Sequence, residues 1–155
     1  MKYSSQHGRP PRLSDVFLPD PIYFVTICTW QKQALLADDA VIHVFHQAAR
    51  AAQRHSVAFG KYVLMPDHVH CFVRVGREGS ISLAVKGLKR AITKALHADQ
   101  KNVRVWQEGF FDHVLRSSES YAEKWEYVRK NPVRAGMVAR AEDWPFQGEV
   151  ENLRW

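Results

Sequence analysis

The run from Tyr62 to Val75 is the feature that most constrains the fold of this chain. It is mostly apolar, and Met65-Pro66-Asp67 interrupts it. Proline and aspartate favour turns, so the run predicts two strands, His55 to Leu64 and His68 to Val75. Successive side chains of a strand point to opposite faces of its sheet. One face of the second strand is therefore apolar, and it consists of Val69, Cys71, Val73 and Val75.

The remaining chain alternates between strand-like and helix-like patterns. Ile22 to Thr29 is rich in β-branched and aromatic residues and predicts a strand, and residues 103 to 115 predict another. One helix begins at Asp38 or Asp39, and a second begins at Ser80 or Ser82 and ends near His97. Residues 118 to 131 predict a third helix, which ends before Pro132.

This order of elements, β-α-β-β-α-β and then a helix, predicts an α+β fold. We expect a ferredoxin-like split βαβ with an antiparallel four-stranded sheet and a C-terminal helix that carries Tyr127. The two crossover helices of such a fold cover one face of the sheet. The second face of the His strand then remains open to a substrate or to the last helix, and it carries His68, His70, Phe72 and Arg74.

Composition indicates one domain over residues 1–155, with an irregular basic arm at 1–20 and a core at 20–147. The 22 Lys and Arg against 16 Asp and Glu give a net charge of +6, which favours polyanionic partners. We expect no membrane partner, because no apolar run is long enough to span a bilayer. We expect no secretory signal, because the N-terminal residues contain no apolar h-region, and we expect Cys28 and Cys71 to be buried thiols. We therefore expect a cytoplasmic protein.

His68 and His70 lie two residues apart, so a strand directs both imidazoles to the same place. A pair that only forms local hydrogen bonds is the commoner meaning of such spacing. Two ligands are too few for a structural zinc site, which takes four. They suit an open site for Mg²⁺ or Mn²⁺, completed by a third ligand and by the substrate's oxygens.

Tyr127 lies off the buried side of its helix, which Tyr121, Trp125 and Val128 are expected to form. It is a candidate nucleophile, although an exposed tyrosine without a role fits the same position. Asn131 follows one turn later and is a candidate metal ligand, or else a cap for the turn that begins at Pro132. Two histidines and one tyrosine together suggest phosphodiester chemistry.

Basic residues concentrate in three places that could bind a nucleic-acid backbone. On the second helix they have no compensating acid between Ser80 and Ala98, although such a row is often only a solvated face. The second group surrounds Tyr127, and the third lies in the arm. The candidates are Lys86, Lys89, Arg90 and Lys94; Arg129, Lys130 and Arg134; and Arg9 and Arg12.

Four blocks of the chain resemble the REP-associated tyrosine transposases, which belong to the single-tyrosine HUH class, named for His-hydrophobic-His. The resemblance runs from about residue 20 to residue 147. The blocks are Tyr23 to Thr29, Met65 to His70, Val105 to His113 and Tyr127 to Gly136. The His block followed by Tyr-x-x-x-Asn-Pro is specific, whereas either block alone is weak.

The resemblance implies that His68 and His70 bind Mg²⁺ or Mn²⁺, that Asn131 completes the metal shell, and that Tyr127 is the nucleophile. It further implies that the partner is single-stranded DNA next to a hairpin, such as a repetitive extragenic palindrome. Tyr127 would form a 5′-phosphotyrosine bond and free a 3′-hydroxyl, which can later reverse the step. Relatives build the site within one chain or across two, so both a monomer and a homodimer stay open.

Three other functions remain open from the sequence. The same fold can bind single-stranded nucleic acid without cutting it. A metal-dependent hydrolase would cut with water and leave no protein–DNA adduct. A regulatory protein could retain the site as a relic.

Overall fold

The computed structural model describes residues 20–98 and 102–155, and a five-stranded antiparallel sheet forms its centre. The strands are β1 (Ile22–Cys28), β2 (Val57–Leu64), β3 (His68–Val75), β4 (Phe111–Val114) and β5 (Gln147–Glu149). Their order across the sheet is β4-β1-β3-β2-β5. The His strand β3 is therefore central, with β1 and β2 as its neighbours.

Three helices of more than two turns accompany the sheet in the described residues: α1 (Asp39–Ala51), α2 (Ile81–Ala95) and α3 (Ser118–Val128). Each begins at a polar side chain that accepts hydrogen bonds from the first turn. These N-cap residues are Asp38, Ser80 and Ser117. A single further turn, α4 (Asn131–Arg134), follows α3 directly. The α+β class and the C-terminal helix are thus confirmed.

The main hydrophobic core lies between the sheet and the pair α1 and α2. Val69, Cys71 and Val73 of β3 are fully buried there against the apolar sides of both helices, such as Phe45 and Ile92. The opposite face of the sheet is only partly covered, because α3 packs across one part of it. Phe72 is buried on that side, with its ring 4.6 Å from that of Tyr121. Alternate side chains of β3 therefore point to the two opposite faces of the sheet, as predicted.

Three predicted boundaries were wrong. The fourth strand is limited to Phe111–Val114, because residues 103 to 110 leave the ladder after one bridge, Thr29 to Trp106, and bind to α2 instead. β2 begins at Val57, since a 3-10 turn occupies Ala52–His55. The third helix ends at Val128 rather than at residue 131. Sequence analysis also missed β5, whose Gln-Gly-Glu sequence lacks the residues typical of strands.

None of the helices in residues 20–98 and 102–155 has the length and apolar character needed to cross a bilayer. The predicted arm at 1–20, with Arg9 and Arg12, lies outside the described residues except for Asp20.

Candidate active site

A cleft of about 490 Å³ opens on the sheet face that α1 and α2 leave free. Residues from β1, β3, α3 and α4 meet there, although they are distant in sequence. The lining residues are Phe24, Met65, His68, His70, Lys124, Tyr127, Asn131, Arg134 and Ala135. One chain therefore contributes both histidines, the tyrosine and the asparagine.

His68 is the first residue of β3, and the turn before it fixes its ring. Its Nδ1 lies 2.7 Å from Oδ1 of Asp67. The Asp67 backbone oxygen in turn accepts hydrogen bonds from N and Oγ1 of Thr29, at 2.9 and 3.1 Å. The carboxylate favours a proton on Nδ1, which leaves the Nε2 lone pair of His68 available to a cation.

His70 is fixed in a similar way from β1. Its Nδ1 lies 2.9 Å from Oγ1 of Thr26, which is its partner in the β-ladder. The ring of Phe24 stacks on the imidazole, with centroids 5.2 Å apart and planes at 23°. Because Nδ1 is engaged, Nε2 is the nitrogen that remains for a cation.

Burial is the main cause that lowers the pKa of His70 to about 3, and the neighbouring His68, Lys124 and Arg134 lower it further. Asp67 opposes these effects. A neutral ring is what metal binding requires. His70 therefore stays in its metal-binding form well below neutral pH.

The donor set fits a divalent cation in an open site. The His68 and His70 ring centroids are 4.6 Å apart, and Nδ1 of each ring has a hydrogen-bonding partner, so that Nε2 of each would be available to a cation. The residues described here contain no group of three His, Cys, Asp or Glu that could hold a metal ion. Asn131 also lines the cleft, and its amide oxygen is a candidate third ligand.

Tyr127 projects into solvent at the mouth of the cleft, with 63% of its surface exposed. The Arg134 guanidinium lies over its ring, 4.0 Å from the centroid. Arg134 also donates a hydrogen bond to Oδ1 of Asn131. The prediction that Tyr127 lies off the buried side of α3 is confirmed, since Val128 is the buried residue of that helix.

Asn131 lines the cleft, but contrary to the prediction it does not belong to the same helix as Tyr127. The helix breaks after Val128, and Asn131 is the first residue of α4, with Lys130 at the N-cap position. The Asn131 side-chain oxygen accepts from Arg134 rather than from a backbone N–H of that turn. The capping role weighed for Asn131 is thus not the one seen.

The basic row of α2 lies away from this cleft. The apolar side of α2 packs on the opposite face of the sheet, so the row belongs to the other layer of the molecule. Lys86, Arg90 and Lys94 extend from α2 there. Lys89 was predicted as part of this row, but its side chain turns to the protein instead. Its Nζ donates to the backbone oxygens of Gln107 and Gly109 at 3.1 and 2.6 Å.

Of the three predicted DNA-binding residues near Tyr127, Arg134 lines the cleft, as does the neighbouring Lys124, whereas Arg129 and Lys130 do not. Arg129 pairs with Glu126 on the same helix, with 3.0 Å between Nε and Oε1. Lys130 is exposed at the junction of α3 and α4. The structure thus separates the predicted DNA-binding residues into a group at the cleft and a group on α2.

Sequence reasoning missed three contributors to the site: Phe24, Thr26 and Asp67. Alternation along β1 could have found Phe24 and Thr26, because they face the same side as the histidines once β1 pairs with β3. Lys124 lies over the Phe24 ring at 5.1 Å, and one helical turn separates it from Tyr127. Phe72, which the alternation of β3 placed on the open face with the histidines, is fully buried under α3.

Comparison with known proteins gives a consistent result. A family model described as "Transposase IS200 like" matches residues 20–131. A REP-associated tyrosine transposase of Escherichia coli K12 is 25% identical over 125 residues, which cover 80% of this chain and 73% of that protein. A Haemophilus influenzae protein named as a candidate of the same kind is 26% identical over 153 residues, with 89% and 85% coverage.

A solved structure of a REP-associated tyrosine transposase bound to a REP hairpin has the same fold. Its TM-score is 0.67 at 23% identity, and the match covers 82% of this chain and 75% of that one. A candidate transposase from Deinococcus radiodurans matches with a TM-score of 0.52 at 16% identity, over 74% and 93% of the two chains. The family match over residues 20–131, joined to this fold and cleft, shows that the chain belongs to the IS200-like transposase family.

Proposed function

We propose that this chain nicks and rejoins single-stranded DNA beside a hairpin, through a covalent bond between Tyr127 and the DNA. The observation that carries the proposal is that Tyr127 and the pair His68 and His70 line one cleft of one chain. Membership of the IS200-like transposase family supports DNA as the substrate. A solved relative of the same fold is bound to a REP hairpin, and we extend that partner to this chain as part of the proposal.

His68 and His70 would hold Mg²⁺ or Mn²⁺ through Nε2, with the amide oxygen of Asn131 as third ligand. A bound divalent cation supplies a Lewis acid for the non-bridging oxygens of the scissile phosphate. Asp67 and Thr26 keep the two imidazoles oriented for that purpose. Lys124 and Arg134, which line the same cleft, attract the phosphate electrostatically.

The Tyr127 hydroxyl oxygen attacks the phosphorus, and the bond from phosphorus to the 3′-oxygen breaks. The phenol gives up its proton and the leaving 3′-oxygen gains one, so the step is balanced. It exchanges one phosphodiester for another and stores the bond energy as a 5′-phosphotyrosine. A 3′-hydroxyl can later attack that bond and rejoin the strands without a nucleotide cofactor.

The exposed position of Tyr127 fits a single-stranded substrate. The side chain reaches outward from the cleft mouth, where an unpaired DNA backbone can approach from several directions.

We also propose that β1 to β4 with α1 and α2 form the ferredoxin-like arrangement, which the strand order β4-β1-β3-β2 supports. The free cysteines Cys28 and Cys71 fit a reducing compartment, so we propose the cytoplasm as the place of action.

The test is adduct formation on a denaturing gel. Two hairpin oligonucleotides with single-stranded flanks, one labelled at the 5′ end and one at the 3′ end, are incubated separately with the protein and Mg²⁺ or Mn²⁺. We expect a protein-linked band that Tyr127→Phe abolishes and that EDTA prevents. Tyr121→Phe is the matched control, because it removes a hydroxyl from the same helix while the ring that packs on Phe72 stays.

Other outcomes would replace the proposal. Cleavage without an adduct would indicate a hydrolase that uses water. Tight binding with no cleavage by the wild-type protein under either metal would indicate a binding protein. An adduct that persists in Tyr127→Phe would move the nucleophile to another residue.

A further inference from the structure

The turn that follows β1 has an unusual backbone. Gln31 and Lys32 are consecutive non-glycine residues with φ of 53° and 55°. This left-handed region is unfavourable for residues with a Cβ, and such residues concentrate at ligand-binding sites. The turn therefore holds a costly conformation in a place where an ordinary connection would be expected.

Hydrogen bonds that the turn donates to the segment at residues 103–110 stabilise its conformation. Trp30 N donates to the Val105 oxygen at 2.8 Å. The Gln33 side-chain amide donates to the Trp30 and Arg104 oxygens, each at 2.9 Å. The segment is in turn fixed to α2, because Trp106 Nε1 donates to the Lys89 oxygen at 3.2 Å. The two segments thus form one rigid surface.

This surface presents a stacked pair of side chains. The Arg104 guanidinium lies 3.6 Å from the centroid of a ring of Trp30. Arg104 and Lys32 are exposed, and Trp30 is half-buried. A planar cation on an aromatic ring can stack against a nucleic-acid base, and Lys32 adds positive charge for the adjoining phosphate.

The pair lies at the metal-binding end of the sheet. Cys28 is the ladder partner of His68, and Trp30 follows Cys28 by two residues. Between them, Thr29 binds the Asp67 backbone oxygen through both N and Oγ1. The carboxylate of Asp67 is bonded to His68, so it does not form an ion pair with the basic side chains of the turn. A strand that enters the cleft can therefore continue onto this surface.

We propose that Trp30 and Arg104 form a stacking platform for an unpaired base of the DNA strand next to the cut. The platform would position the single-stranded flank, whereas the hairpin stem would bind elsewhere. This inference rests on the proposed nicking function for its substrate, but the contact itself needs no cleavage.

The test is equilibrium binding in the Tyr127→Phe background, so that cutting does not interfere. 2-Aminopurine is placed at successive positions of the single-stranded flank of a hairpin oligonucleotide, and a blunt hairpin serves as the second probe. We expect quenching at one or two adjacent positions. Arg104→Ala and Arg104→Lys should remove that quenching and weaken binding of the flanked hairpin on the order of tenfold, with the blunt hairpin unchanged.

Arg77→Ala is the matched control, since it removes an exposed arginine at the opposite end of β3. Trp30→Phe tests the aromatic partner, and circular dichroism confirms that each variant is folded. Equal affinity of Arg104→Ala and the parent for the flanked hairpin would overturn the platform, as would equal loss for both probes. If the wild type forms no adduct while position-specific quenching persists, nicking fails and the platform stands.

Discussion

The guanidinium of Arg134 lies 4.0 Å from the centre of the Tyr127 ring and donates to Oδ1 of Asn131. One side chain thus connects the proposed nucleophile with the proposed third ligand. Both contacts are made at the surface, where a DNA phosphate can compete for the guanidinium. We therefore expect Arg134 both to orient Tyr127 and to bind a phosphate of the DNA.

Replacing Arg134 tests this connection. We expect Arg134→Ala to lower the single-turnover rate of adduct formation roughly a hundredfold, because misplacing a reacting group has effects of that size. Arg134→Lys should retain part of the rate, since it keeps the charge but cannot stack as a plane. The rate is measured with protein in excess over labelled oligonucleotide, and a wild-type rate in Arg134→Ala would contradict this role.

The partners of the histidines should control metal affinity. Asp67→Asn and Thr26→Val each remove the group that fixes Nδ1, so we expect Mn²⁺ affinity to fall about 10- to 100-fold. Calorimetric titration of the DNA-free protein with Mn²⁺ measures this without activity. Glu78→Gln is the control, as it neutralises a carboxylate in the turn after β3, at the other end of that strand from His68. Unchanged affinity in both test variants would remove the histidine pair as the metal site.

The low pKa of His70 should appear in the pH dependence of stability. Its pKa is about 3 in the folded protein against about 6.5 for an ordinary histidine, so the unfolded chain binds the proton more readily between these values. The free energy of unfolding should therefore fall as pH drops below about 6.5, by at most about 1.4 kcal/mol per pH unit from this group.

Urea unfolding of the metal-free protein at pH 7, 6, 5 and 4.5 measures the slope. His70→Asn should flatten the curve over that interval, whereas the exposed His43→Asn should leave its slope intact. A parallel curve for His70→Asn would show that other groups cause the acid sensitivity.

Two glycines predict opposite effects on stability. Gly79→Ala places a Cβ 2.5 Å from the Ser56 backbone oxygen, so we expect a loss of about 1–3 kcal/mol. Gly87 is exposed in the interior of α2, where a Cβ meets nothing within 4 Å. Gly87→Ala should therefore stabilise the fold by about 0.5–1 kcal/mol. Chemical denaturation of both variants provides the comparison, and the same sign for both would disprove the packing argument.

The site should be complete within one chain, because His70 and Tyr127 of the same protomer line the cleft. A mixture of Tyr127→Phe and His70→Ala proteins should then form no adduct, even at high total concentration. In an equimolar mixture, recovery of adduct toward about a quarter of the wild-type yield would instead indicate that α3 is exchanged between protomers, because half of randomly mixed dimers contain both variants and each has one complete site of two. The adduct gel distinguishes these results directly.

Local sequence patterns were sufficient for the faces of β3, for the capped starts of α1 and α2, and for the start of α3 at residue 118. Alternation along β3 placed His68 and His70 on one face of the sheet and Val69 and Cys71 on the other. Such a pattern is reliable because a shift of one residue would expose the apolar side chains that are buried. The start signals at Asp38, Ser80 and Ser117 depend only on adjacent residues, so they too can be recognised locally.

Long-range contacts account for what the sequence did not predict. Residues 103 to 110 resemble a strand, but the indole of Trp106 and the amine of Lys89 bind that segment to α2. α3 ends at Val128, which is buried with Val63 and Trp144, two residues that are distant from it in sequence. Whether Arg134 would contact Tyr127 depends on where α3 ends, which no local pattern encodes.

The sheet lies between the cleft and α2, the helix that carries Lys86, Arg90 and Lys94. A short oligonucleotide held at Tyr127 cannot touch these lysines and this arginine unless it passes around an edge strand. Any contribution of α2 to affinity should then require longer DNA, and footprints on long and minimal substrates should differ in the number of protected phosphates.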